Sequence, residues 1–183
     1  MKKYIATLCL FASLSNFYGQ DAEKFGNTLN IGVGSGYGAY YYGYGFPLML
    51  NYEIDVAKNF TLAPFVGFYT YHNSYYWGNP GHNYAYYNYR YTAIPIGVKG
   101  SYYFDELLNA GDKWDFYGAL SLGYIAVSTT WDNGYAGDPY YYGRPSPLYL
   151  SLHIGTEYHF TEKIGMFLDL SSAYSSIGVA AHF

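Results

Sequence analysis

The chain has 183 residues and a net charge of -4, with 12 % charged, 51 % hydrophobic and 23 % aromatic residues. A soluble domain carries about 25 % charged residues, so the balance excludes an ordinary water-exposed globule, and it is too apolar for a disordered chain. Nine Lys plus Arg argue against the clustered basic footprint of a nucleic-acid binder, and a single Cys excludes a disulfide framework and a cysteine zinc site.

In chain order, residues 1–20 read as an export signal. Met1-Lys2-Lys3 is a basic start, Tyr4 to Leu14 is an apolar core, and removal is expected near Gly19 or Gln20. The bulky Phe17 breaks the small-x-small rule, so the cleaved bond stays open. Cys9 follows Leu8 and sits too early for lipidation, which leaves the mature chain, residues 21–183, without a thiol. Past Asp21 no run approaches the roughly 18 apolar residues of a membrane helix. A mature chain that spans a membrane must then do so as a closed β-barrel.

Alternation of apolar and small or polar residues predicts eight strands. Leu29, Ile31 and Val33 form the first apolar face; Phe46, Leu48, Leu50, Tyr52 and Ile54 form the second. Phe60, Leu62, Val66 and Phe68 make the third, and Ile94, Ile96, Val98, Tyr102 and Phe104 the fourth. Trp114, Phe116, Leu120, Leu122 and Tyr124 follow, then Leu148, Leu150, Leu152, Ile154, Tyr158 and Phe160. Ile164, Met166, Leu168 and Leu170 precede the last face, Ile177, Val179, Ala181 and Phe183. Short charged links are expected at 55–59, 105–113 and 161–163, with one helical turn at Asp105 to Leu108. Longer links rich in Tyr, Gly and Asn are expected at 37–45, 69–91 and 131–145, with a brief one at 173–176. Short turns alternating with long loops match an all-β, eight-stranded, antiparallel up-and-down transmembrane barrel, with the long loops outside.

A soluble lipocalin-type barrel would put the apolar face inside and a charged face in water. Here the other face is mostly Gly, Ala, Ser and Thr, suited to a narrow lumen. Phe60, Phe104, Trp114, Phe160 and Phe183 fall at the charged-turn ends, where a membrane barrel carries an aromatic girdle.

The signal segment, the run Tyr158-His159-Phe160-Thr161-Glu162-Lys163-Ile164-Gly165 and the closing strand ending in Phe183 resemble small bacterial outer-membrane barrels of the OmpX/OmpW-like superfamily. The resemblance implies an outer-membrane location in a Gram-negative envelope, contact with outer-membrane lipids, and recognition of Ile177, Val179, Ala181 and Phe183 by the barrel-assembly machinery. It implies no single activity, since fold does not settle function.

Several residues invite chemistry. Ser151, His153 and Glu157 share one strand face and suggest nucleophile, base and orienting acid, but residues two apart stand about 7 Å from each other. His72 and His82 lack a neighbouring carboxylate, so no metal is expected there, and no cofactor elsewhere. Gly32-Val33-Gly34-Ser35-Gly36 alternates within a strand rather than opening a helix, so it is no phosphate cradle. Parity places Lys99, Asp169, Glu157 and Glu53 inside, with Lys99 expected to bridge at least one carboxylate and help plug the lumen. Residues 29–52 and 59–89 contain no Asp, Glu, Lys or Arg. The Tyr-rich links, with Tyr40, Tyr41, Tyr42, Tyr75, Tyr76, Trp77, Tyr140, Tyr141 and Tyr142, offer large amphipathic contact area for a glycan or protein partner. The leading expectation is a non-enzymatic membrane barrel acting through these loops. A narrow conduit for small or hydrophobic solutes is the alternative, and an outer-leaflet lipid enzyme the third reading.

Overall fold

The computed structural model describes residues 27–36, 47–77, 85–108, 110–131 and 147–183. Its strands are β1 (Thr28–Gly36), β2 (Leu48–Ala57), β3 (Phe60–Trp77), β4 (Ala85–Tyr103), β5 (Trp114–Trp131), β6 (Leu148–Thr161), β7 (Ile164–Ser171) and β8 (Tyr174–His182). A one-turn helix, α1 (Asp105–Leu108), lies between β4 and β5. Each strand pairs antiparallel with its sequence neighbours, and β1 pairs β8 from Thr28↔His182 to Gly36↔Tyr174, closing the barrel. Closure pairs every strand on both sides across the apolar band, the condition for crossing hydrocarbon.

The alternation fixes which face is which. Ile31, Leu50, Val66, Ile96, Leu122, Leu152, Leu168 and Val179 are all exposed on the outside, whereas Asn30, Glu53, Thr61, Lys99, Ser121 and Asp169 are buried in the lumen. That is the inverse of a soluble barrel. On β3 the outward apolar run goes from Phe60 to Phe68, and on β4 from Ile94 to Tyr102. These are the ~9 residues that a tilted strand needs to cross the bilayer core.

The ladder does not stop there. β3 and β4 stay paired through Tyr71↔Tyr91, His72↔Arg90 and Tyr75↔Tyr87 to Trp77↔Ala85. This corrects the expected loop at 69–91: Tyr75, Tyr76 and Trp77 lie on a strand. Only the outward face changes at Phe68, from apolar to Thr70 and His72, while Tyr69 continues the inward face. A strand that leaves the bilayer keeps its period and changes only the solvent on one side. About nine further residues at about 3.3 Å each, tilted about 40°, carry the hairpin roughly 20 Å past the apolar band. β5 follows it to Trp131, paired with Tyr89.

Turns at the opposite end are short. Lys58-Asn59 joins β2 to β3, with Asn59 at a φ of 58°, a left-handed conformation that Asn tolerates. Between β6 and β7, Thr161 Oγ1 accepts the Lys163 and Ile164 N–H groups at 3.2 and 3.1 Å. At the hairpin end, the expected link at 173–176 shrinks to Ser172-Ala173, because Ser171 Oγ accepts the Tyr174 N–H at 2.9 Å and folds the chain back at once. Trp114, Phe116, Tyr158 and Phe160 form a continuous aromatic run at the short-turn end, with Trp114 and Tyr158 ring centres 4.8 Å apart. Ile177, Val179 and Phe183 face outward on the closing strand, Phe183 at 78 % exposure. The expected signal segment and Tyr40, Tyr41, Tyr42, His82, Tyr140, Tyr141 and Tyr142 lie outside the described residues.

Candidate functional site: a bonded lumen beneath an aromatic sheet

The middle of the lumen is organised by two carboxylates from different strands. Asp169, on β7, receives Lys99 Nζ at 2.9 Å and the Tyr117 hydroxyl at 2.8 Å on one oxygen. Its other oxygen meets His153 Nδ1 at 2.7 Å. Lys99 Nζ also stands 4.4 Å above the Tyr117 ring, a cation–π contact. Glu53, on β2, accepts from Thr61 and Tyr103 at 2.8 Å each and from Asn30 at 2.9 Å. Lys99 therefore bonds Asp169 directly, while Glu53 and Glu157 bond other groups. Glu157 meets His182 Nε2 at 2.7 Å, nearer the turn end.

Small residues make room for the large ones. A Cβ on Gly155 would stand 2.2 Å from Cζ of Tyr117, so only glycine lets that ring reach Asp169. Gly32 and Gly178 face each other across β1 and β8, and a Cβ on either would strike the Phe167 ring. The space left between Asn30, Glu53, Lys99, Tyr117 and Asp169 is a cavity of about 20 Å³, room for about one water.

The Ser151–His153–Glu157 relay, which the spacing along the strand argues against, is not formed. Ser151 Oγ lies 3.3 Å from Ser172 Oγ, and Glu157 turns to His182. His153 instead stands between Ser121 Oγ, 2.9 Å from its Nε2, and Asp169. With the Nδ1 proton on the Asp169 side, Nε2 accepts the Ser121 hydroxyl, which gives a hydroxyl, imidazole and carboxylate in series. The 20 Å³ cavity beside it admits no acyl substrate. Strand parity alone puts Ser121 and His153 inside; what it lacks is which residue of β5 stands level with His153.

Above this polar layer the lumen turns aromatic. Phe65, Tyr69, Tyr91, Tyr149 and Tyr174 form a buried cluster, with Tyr69 and Tyr149 fully covered. It runs on to Tyr71, Tyr89 and Trp131 on the protruding part of β3, β4 and β5. Tyr71 meets Tyr89 edge-on at 6.2 Å, and Tyr89 lies 5.0 Å from Trp131. The β3–β4 backbone ladder continues outward to Trp77↔Ala85. On the other face, Arg90 Nε donates to His72 Nε2 at 2.7 Å.

No protein-family model matches the sequence, and no curated protein does. Solved structures do. A de novo designed transmembrane β-barrel aligns with a TM-score of 0.50 at 13 % identity, over 88 % of this chain and 98 % of its own. The Neisserial surface protein A aligns with a TM-score of 0.51 at 15 % identity, over 86 % and 96 %. The fold is that of a transmembrane β-barrel. The attachment invasion locus protein Ail of Yersinia pestis is a more distant likeness, with a TM-score of 0.45 at 9 % identity over 87 % of this chain and all of its own.

Proposed function

We propose that this chain is an integral outer-membrane barrel of the OmpX/OmpW-like kind that works as a non-enzymatic interaction protein. Its β3–β4–β5 extension and the Tyr-rich links face outward from the cell. The supporting observation is the filling of the lumen. Lys99, Asp169, His153, Tyr117, Glu53 and Tyr103 are joined in the middle, capped by Tyr69 and Tyr149, with space for about one water between them. A barrel so packed offers solutes no path, which disfavours the conduit. The same packing keeps substrate from the Ser121–His153–Asp169 series, which disfavours an enzyme.

What remains for function is the protruding sheet. Tyr supplies broad, rigid, amphipathic contact, and the absence of charge over residues 59–89 suits a partner with a neutral surface, a glycan or a protein loop. Two measurements test the proposal. The purified barrel in a planar bilayer should give no conductance steps. In intact cells, Tyr89→Ala together with Trp131→Ala should abolish cross-linking to the partner. Steady conductance in wild type, or cross-linking that survives the double variant, would overturn it.

A further inference from the structure

Glu157, His159 and His182 gather at the turn-end mouth of the lumen, apart from the Lys99–Asp169 layer. β6 supplies Glu157 and His159 two residues apart on its inner face, and β8 supplies His182. β7 lies between these strands, and there it carries Gly165, paired with His159 on one side and Ala180 on the other. A Cβ on Gly165 would stand 2.1 Å from Glu157 Oε1. The missing side chain is what lets a carboxylate from β6 cross β7 and reach His182 on β8.

We propose that these three side chains form a binding site for a borderline divalent transition metal, zinc being the representative ion. The ligand atoms lie within 4.8 Å of one another. Glu157 Oε1 is 2.7 Å from His182 Nε2 and 4.0 Å from His159 Nδ1. Zinc bonds of about 2.0–2.1 Å set tetrahedral ligand atoms about 3.3 Å apart, so closure needs shifts of roughly 1–1.5 Å, within side-chain rotation. Two imidazoles and one carboxylate are the donors such ions take, whereas calcium and magnesium take oxygen alone.

The second observation is how each imidazole is held. His159 gives its far nitrogen, Nε2, to Asp115 Oδ2 at 2.7 Å. His182 gives its far nitrogen, Nδ1, to Thr28 Oγ1 at 2.9 Å. In both rings the partner fixes the outer nitrogen and leaves the inner one facing Glu157, the arrangement by which outer groups orient metal-bound histidines. The backbone is tied as well: the His159 N–H donates to Lys113 O and the His182 N–H to Lys163 O, each at 2.9 Å. A bound ion would take the place of the hydrogen bond between His182 and Glu157. It would clip β6 to β8 beside the β1–β8 seam, with water from the mouth as a fourth ligand.

The test is titration of ZnCl2 into the refolded mature barrel in detergent, followed by calorimetry. Wild type should bind one Zn2+ per chain. His159→Ala and His182→Ala should each lower affinity by at least tenfold, and Asp115→Asn by about 10–100-fold, the usual cost of losing an orienting partner. His72→Ala, on the far hairpin, should bind as wild type does. X-ray absorption on zinc-loaded wild type serves as a check that does not depend on variant folding, and it should report two imidazoles and one or two oxygens. Absence of stoichiometric binding, an absorption spectrum without imidazole, or affinity unchanged in both folded histidine variants would each overturn the proposal.

Discussion

Removing one end of the Lys99–Asp169 pair is the sharpest test of the lumen as a sealed core. Both side chains are almost wholly enclosed, at 8 % and 5 % exposure, with Nζ 2.9 Å from Oδ2. Breaking a buried pair by deleting one partner costs about 3–5 kcal/mol, because the other charge is stranded. Lys99→Met leaves Asp169 with two donors, Tyr117 and His153, so its cost should fall at the lower end. Asp169→Leu strands Lys99, the Tyr117 hydroxyl and His153 together and should fall at the upper end or beyond. At about 2–4 °C per kcal/mol for a chain of this size, the two variants should melt roughly 6–12 °C and 10–20 °C below wild type. The assay is heat-modifiable migration in detergent, paired with tryptophan fluorescence through the same transition. Lys99→Met/Asp169→Leu should cost less than the sum of the singles by about 2 kcal/mol or more, since contacting sites couple. A Lys99→Met variant within about 0.5 kcal/mol of wild type, the scale of an exposed substitution, would refute the argument and mean that water already solvates both charges.

Other consequences are as direct. An epitope tag at Gly78, in the link after β3, should be detected on intact cells, and one at Gly111, where an added Cβ meets nothing within 4 Å, only after permeabilisation; surface detection at Gly111 alone would invert the orientation. Deleting Phe183, or changing it to Asp, should leave the chain misassembled and degraded before it reaches the membrane; normal yields of protease-resistant barrel would remove it from the assembly signal. Gly155→Val should displace the Tyr117 ring and cost about 1–3 kcal/mol as an overpacked site; a melting point equal to wild type would show that the ring's contact with Asp169 contributes nothing.

Much of this fold could be read from residue order, because one physical rule decides it. In a barrel within lipid, a residue is outside or inside by parity, and Leu148-to-Phe160 against Ser151, His153 and Glu157 states that rule on its own. The rule reads less well where the outer solvent changes. Past Phe68 the outward positions become Thr70 and His72, and the loss of apolar alternation there reads as the end of the strand. The inward positions kept their aromatics, Tyr69 and Tyr71, and that half of the pattern carries the ladder on to Trp77. The same holds at the start of β8, where Tyr174 and Ser176 are inward residues of a strand whose intervening position is merely Ser175.

The polar lumen was readable in composition but only in part in its connections. Lys99 and Asp169 could be matched by counting inward from the turns, since both stand at mid-depth. Parity places Glu53 and Glu157 in the same lumen but does not say which donors they meet. In the structure neutral donors satisfy Glu53, the hydroxyls of Tyr103 and Thr61 and the Asn30 amide, and they do so at less desolvation cost than a second buried ammonium would require. Tyr117 could not be placed by charge at all. Its position follows from Gly155 on the next strand, whose missing side chain opens the path for its ring. The inference runs from the gap to the occupant: in a lumen this narrow, five inward glycines mark where a large side chain from another strand arrives, whereas Gly34, Gly97 and Gly123 lie against the backbone of the adjacent strand. Gly155 marks Tyr117, Gly32 and Gly178 mark Phe167, Gly67 marks Met49, and Gly165 marks Glu157 on its way to His182.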